Sequence, residues 1–107
     1  MIWDLSYSPL AEQDIREAAS YYQDVAPNQV ERFVRNVRTV TDGLREHPFA
    51  SIPQPNGLRR HSVNAFPYSV WADIDEDAAT ILVVGVVHDR RDPSLIEERA
   101  QDLREGQ

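Results

Sequence analysis

At 107 residues the chain can bury one core but cannot hold a nucleotide-binding domain joined to a second, substrate-binding one, so a single domain over 1–107 is expected to carry its function on one surface or strand edge. It contains no cysteine, which removes disulfide frameworks, thiolate metal sites and cysteine-nucleophile chemistry and fits a cytoplasmic setting. The formal net charge of -7 argues against a general nucleic-acid coat protein, because phosphate binding is driven by basic side chains releasing counterions.

The distribution of charge says more than its total. From His47 through Ala72 there is no acidic residue, and this window holds Arg59, Arg60 and His61, so one basic stretch is expected on an acidic body. The N-terminus has no basic region followed by an apolar run. No apolar run approaches the roughly eighteen residues of a membrane helix, so neither export nor anchoring is expected.

In chain order, residues 2–7 alternate, with Trp3, Leu5 and Tyr7 on one face, and predict a half-buried strand. Ser8 is a suitable N-cap and Pro9 suits the first helical position, opening a helix over 9–25 whose stripe is Ala11, Ile15, Ala18, Tyr22 and Val25. Pro27 ends it, and a second helix over 28–46 is expected from a capping-box-like Asn28 and Glu31 and the stripe Val30, Phe33, Val34, Val37, Val40 and Leu44. The short link makes the two an antiparallel helix hairpin.

Residues 48–57, with three prolines and a glycine, read as a connection. Strands are then expected over 58–63, 68–74 and 80–88. The last is almost wholly apolar and so either central in the sheet or covered on both faces. Asp75, Glu76 and Asp77 form the hairpin tip between the last two. A C-terminal helix over 93–104, capped by Asp92 or Ser94, shares Ile96, Ala100 and Leu103 on one face. The class is therefore α+β: an N-terminal strand, a helix hairpin on a small, mainly antiparallel sheet, and a short C-terminal helix.

Most familiar sites are missing. Asp73, Asp75 and Asp77 have the spacing that opens a calcium loop, but Ala78 stands where that loop needs glycine and Val84 where it needs glutamate. His47, His61 and His88 fall on separate elements with no i, i+4 partner, so no metal site is expected. Glu97 and Glu98 are helix neighbours and cannot face one substrate as an acid/base pair. No nucleotide-binding or nucleophile-elbow motif occurs, and no cofactor is expected. What is left is Arg59-Arg60-His61 on a strand and His88-Asp89-Arg90-Arg91 just past the apolar strand. Two adjacent arginine pairs on neighbouring strands point to a binding patch for phosphates or acidic side chains, made of Arg59, Arg60, Arg90 and Arg91.

The order of elements and three local sequences resemble the RelE/ParE toxin superfamily of type II toxin-antitoxin systems, over roughly Trp3 to Pro93. Leu5-Ser6-Tyr7-Ser8-Pro9-Leu10-Ala11 is similar to the family's strand-to-helix junction, and Phe66-Pro67-Tyr68-Ser69-Val70 to its F-P-Y-R strand. Ile81 to Val87 followed by His88-Asp89-Arg90-Arg91-Asp92-Pro93 is similar to the H-x-R-R-D-P ending of ParE-like members.

The resemblance implies a growth-inhibiting toxin with a cognate antitoxin as partner, as a homodimer or a toxin-antitoxin hetero-oligomer, and no membrane. It offers two targets. A ParE-like toxin poisons DNA gyrase and needs only a recognition surface. A RelE-like toxin cuts messenger RNA on the ribosome with lysines, arginines and a late tyrosine. This chain has no lysine, Ser69 replaces the F-P-Y-R arginine, and no tyrosine follows Arg91, so the departures favour the gyrase poison. Were it a nuclease, Arg59, Arg60, His61, His88 and Arg91 would be the catalytic candidates, with His61 or His88 as acid/base. A toxin homologue that has lost its activity and acts only as a binding partner is the third reading.

Overall fold

A computed structural model describes residues 2–106. Strand β1 (Asp4–Tyr7) leads into helix α1 (Pro9–Val25), a 3-10 turn at Pro27–Gln29 and helix α2 (Val30–Glu46). After a second 3-10 turn at Pro48–Ala50 come strands β2 (Ile52–Pro53), β3 (Arg59–Ser62), β4 (Tyr68–Asp75) and β5 (Thr80–His88), then helix α3 (Ser94–Glu105). The five strands form one sheet in the order β1-β5-β4-β3-β2, antiparallel except that β1 runs parallel to β5.

Alternation sorts the side chains of the sheet into two cores. Val63, Val70, Ala72, Ile81, Val83 and Val86 pack beneath Ala11 and Ala18 of α1 and Phe33, Val37 and Leu44 of α2. On the other face Leu58, Val84 and Val87 meet Ile96 and Ala100 of α3. β5 is thus covered on both faces, which is why its sequence is almost unbroken valine, leucine and isoleucine. Tyr22, Phe33, Phe66 and Tyr68 close the hairpin onto the end of the sheet, with Phe33 and Tyr68 ring centroids 5.1 Å apart in an edge-to-face arrangement.

A bulge in β5 shifts this alternation by one residue, so that Ile81 and Val83 before it and Val86 after it share the hairpin face. Trp71 lies opposite Gly85 and Ala72 opposite Val83, so Val84 is an extra residue. β1 stops pairing at Tyr7 opposite Val83, which leaves the next main-chain groups of β5 without a strand. Side chains take over. Arg99 of α3 donates to the Val84 carbonyl at 2.9 Å, and Asp14 of α1 accepts from the Val86 amide at 3.0 Å. Gly85 leaves room for this, since a Cβ there would come within 2.8 Å of Ile96 Cδ1 and 2.9 Å of Arg99 Nη1.

Several boundaries correct the sequence expectations. β1 begins at Asp4 rather than at residue 2, because the Trp3 amide bonds to the Arg45 carbonyl of α2 and pairing with β5 starts only at Asp4. The second helix begins at Val30 rather than 28. Pro27 sets a 3-10 turn closed by Gln29 N–H to the Ala26 carbonyl, and no Asn28–Glu31 capping pair forms.

The connection 48–57 contains β2, paired with Arg59 and Arg60. It is too short for a readable pattern, and its proline is tolerated because the strand is at the edge. β3 covers only 59–62, and β4 runs on to Asp75. Helix α3 begins at Ser94 and ends at Glu105 instead of spanning 93–104. Ser8 does cap α1, accepting from the Ala11 amide at 3.1 Å.

Candidate functional site at the end of the central strand

β5 ends at His88, and the chain turns through Asp89-Arg90-Arg91 into α3. The turn is held by the main chain: Asp89 N–H donates to the Pro67 carbonyl, Arg91 N–H to the His88 carbonyl, and Arg90 N–H to His88 Nδ1 at 3.0 Å. Asp92 then accepts from the Ser94 amide at 2.9 Å, and this bond holds its carboxyl below the ordinary 3.8. Between this turn, the α3 face of the sheet and the start of α3 lies a cavity of about 190 Å³ whose walls include Arg60, Trp71, His88, Asp89, Arg91 and Ile96.

Alternation along β3 separates the sequence candidates. Arg60 pairs with Trp71 on the α3 face and lines the cavity, its guanidinium 5.9 Å from the Trp71 ring centroid. Arg59 and His61 face the helix hairpin instead, opposite Ala72 and Val70. The Arg59 guanidinium donates to the Ser51 carbonyl at 2.8 Å and the Phe49 carbonyl at 3.2 Å, and lies 4.9 Å over the Phe49 ring. Burial lowers the pKa of His61 below 6.5. His88 and Arg91 join Arg60 at the cavity. Arg90 and Arg91 are exposed, and neither guanidinium has an ion pair among the described residues.

Two further residues belong to the site. Ser69 of β4 is 1% exposed, and its hydroxyl accepts from Arg60 Nε at 3.1 Å and donates to Asp89 Oδ1 at 2.6 Å. Arg60 Nη2 completes the triangle to the same oxygen at 3.3 Å. In the sequence Ser69 is visible only as a departure from the F-P-Y-R pattern. Nothing marks Asp89 as its partner, twenty positions on, until β4 and β5 are paired. Among the described residues, no group of three or more His, Cys, Asp or Glu is placed to hold a metal ion, and no helix is long and apolar enough to cross a membrane.

A small mixed sheet with a helix hairpin on one face and a short helix on the other, ending in an arginine-rich turn, is the architecture of the RelE/ParE toxin superfamily. Residues 5–93 match the family model described as the ParE toxin of the type II toxin-antitoxin system parDE. The chain belongs to that family. It is 33% identical over 87 residues to Toxin ParE2 of Mycobacterium tuberculosis, covering 80% of this chain and 81% of that one.

Two solved structures share its fold. The chromosomal ParDE toxin-antitoxin system from P. aeruginosa aligns at a TM-score of 0.70 with 14% identity, over 81% of this chain and 96% of that chain. The toxin-antitoxin complex RelBE2 from Mycobacterium tuberculosis aligns at 0.59 with 15% identity, over 82% and 99%.

Proposed function

We propose that this toxin arrests growth by binding DNA gyrase and trapping its cleaved-DNA complex, and that a cognate antitoxin neutralises it. The observation that carries this reading is the Arg60–Ser69–Asp89 triangle. A nuclease needs unengaged cations at the scissile phosphate and an acid or base within reach of the ribose hydroxyl. Here Arg60 is neutralised by Asp89, Ser69 is buried where an RNA-cutting relative carries arginine, and His88 Nδ1 accepts an amide of its own turn. Arg90 and Arg91, exposed on a rigid strand end, suit recognition of a protein target instead. The antitoxin partner is supported by the structural neighbours, one from a ParDE system and one a RelBE2 toxin-antitoxin complex.

The test sets two assays side by side on purified toxin. Inhibition of gyrase supercoiling with accumulation of cleaved DNA, reversed by the product of the adjoining antitoxin gene, is expected. Codon-positioned cuts on translating ribosomes, mapped by primer extension and abolished by Arg91→Ala, would overturn the reading in favour of an endoribonuclease. Silence in both assays, with antitoxin binding retained, would identify a homologue that survives as a binding partner only.

A further inference from the structure

We propose that His88 positions the arginine turn as a neutral imidazole, and that a second proton on its ring frees Arg90, so that recognition of the target weakens in acid. The recognition half rests on the gyrase reading; the positioning half concerns this chain alone. Three main-chain N–H groups hold the turn. Those of Asp89 and Arg91 donate to the carbonyl oxygens of Pro67 and His88, which accept at any pH. That of Arg90 donates to His88 Nδ1 at 3.0 Å, a ring nitrogen that accepts only while the imidazole carries its one proton on Nε2. Of the three bonds, this is the one that a single proton abolishes.

A proton on Nδ1 sets two donors face to face, and one of them has to move. The ring stands edge to face with Tyr68, their centroids 5.2 Å apart, whereas Arg90 is exposed and its guanidinium has no ion pair among the described residues. Release therefore falls on Arg90, while Arg91 stays pinned through the His88 carbonyl.

The surroundings accept the added charge. His88 walls two cavities, one toward α3 and one toward α1, which it shares with Arg60 of β3, Asp89, Arg91 and Asp92 of the turn, Glu97 of α3, and Asp14, Glu17 and Tyr21 of α1. Arg99 neutralises Asp14 and Arg60 neutralises Asp89, which leaves Glu17, Asp92 and Glu97 against the guanidinium of Arg91. A proton arriving on the ring meets more carboxylate than guanidinium, and imidazole is the side chain built to take one up between roughly pH 8 and 5.

The experiment has two arms. The first is NMR on the isolated toxin from about pH 8 to about pH 5.5. At the upper end the His88 nitrogen shifts should place the proton on Nε2. As the ring titrates, exchange protection of the Arg90 amide should fall about tenfold while that of Arg91 holds. A proton on Nδ1 at the upper end, or Arg90 protection that ignores the titration of His88, overturns the proposal.

The second arm is the Kd for purified gyrase at both ends of that range, for the parent, His88→Asn and His88→Ala, with melting curves for all three. The parent should bind roughly tenfold more weakly in acid, the scale of one hydrogen bond. Asparagine can offer Oδ1 to the amide two residues on, as Asp92 does to Ser94, and it does not titrate, so His88→Asn should lose far less on acidification. His88→Ala, lacking the acceptor, should already bind weakly at the upper end. The pH response of gyrase itself is common to all three proteins and cancels in the comparison. A full loss in acid by His88→Asn would overturn the link to recognition. Absence of gyrase binding at both pH values would sink the gyrase reading and the recognition half with it, while the NMR arm still decides whether His88 holds Arg90.

Discussion

Asp14 and Arg99, 85 residues apart in the chain, meet in a two-point ion pair that binds the first helix to the last across the bulge of the central strand. Nη1 lies 2.6 Å from Oδ2 and Nη2 3.1 Å from Oδ1, and the side chains are only 10% and 11% exposed. Such a pair is costly to break, because the surviving partner is left charged in a poorly solvated place. Asp14→Ala or Arg99→Ala is expected to lose roughly 3 to 5 kcal/mol. Removing both with apolar residues of similar volume should cost less than the two single losses added together. Chemical denaturation of the four proteins measures this. Single losses under about 1 kcal/mol would place the pair with ordinary surface bridges.

Gly85 is the second point at which the bulge can be tested. An alanine methyl would come within 2.8 Å of Ile96 Cδ1 and 2.9 Å of Arg99 Nη1, so α3 or the guanidinium has to move. Overpacking of this kind costs roughly 1 to 3 kcal/mol. Gly85→Ala should therefore lower the melting temperature and increase protease cutting within α3. A variant as stable as the parent would show that α3 shifts freely on the sheet.

The arginines should divide by task. Arg59→Ala loses two hydrogen bonds to carbonyls and the Phe49 stacking, and is expected to destabilise by about 1 to 3 kcal/mol with no specific loss of toxicity once folded protein is matched. Arg90→Ala and Arg91→Ala should stay within about half a kcal/mol of the parent, as surface changes do, while at least one weakens growth inhibition or gyrase binding. Melting curves beside growth in cells lacking the antitoxin separate the groups. A large loss of stability in both Arg90→Ala and Arg91→Ala would make the arginine turn a structural clasp.

His61 sets an expectation for acid. Its pKa in the folded chain lies below the unfolded value near 6.5 because burial disfavours the imidazolium. As pH falls below 6.5 the unfolded state takes the proton first, so His61 removes stability until pH drops through the folded pKa, after which its contribution levels off. His61→Gln should flatten that part of the melting-temperature profile. An NMR titration placing His61 at or above 6.5 would show that desolvation does not govern the imidazole on β3.

The strand, helix hairpin and antiparallel run were legible in local pattern, because the 3.6-residue and two-residue periods of Ala11 to Leu44 and Tyr68 to Val87 are the direct imprint of burial. Even the clasp left a trace. Asp14 and Arg99 each interrupt an apolar stripe at the i+3 position, Ala11–Asp14–Ile15–Ala18 and Ile96–Arg99–Ala100–Leu103.

What local pattern could not reach was pairing between distant segments. The placement of β1 parallel to β5, the two-residue β2 and the extra residue at Val84 depend on which strands become neighbours, and hydrogen bonding between strands leaves no period in either one. The candidate site follows the same division. Arg59, Arg60, Arg90 and Arg91 were visible as a group of charges. Only the side-by-side packing of β3, β4 and β5 turned Arg59 toward the loop carbonyls, brought Arg60 to Ser69 and Asp89, and left the two arginines of the turn exposed to solvent.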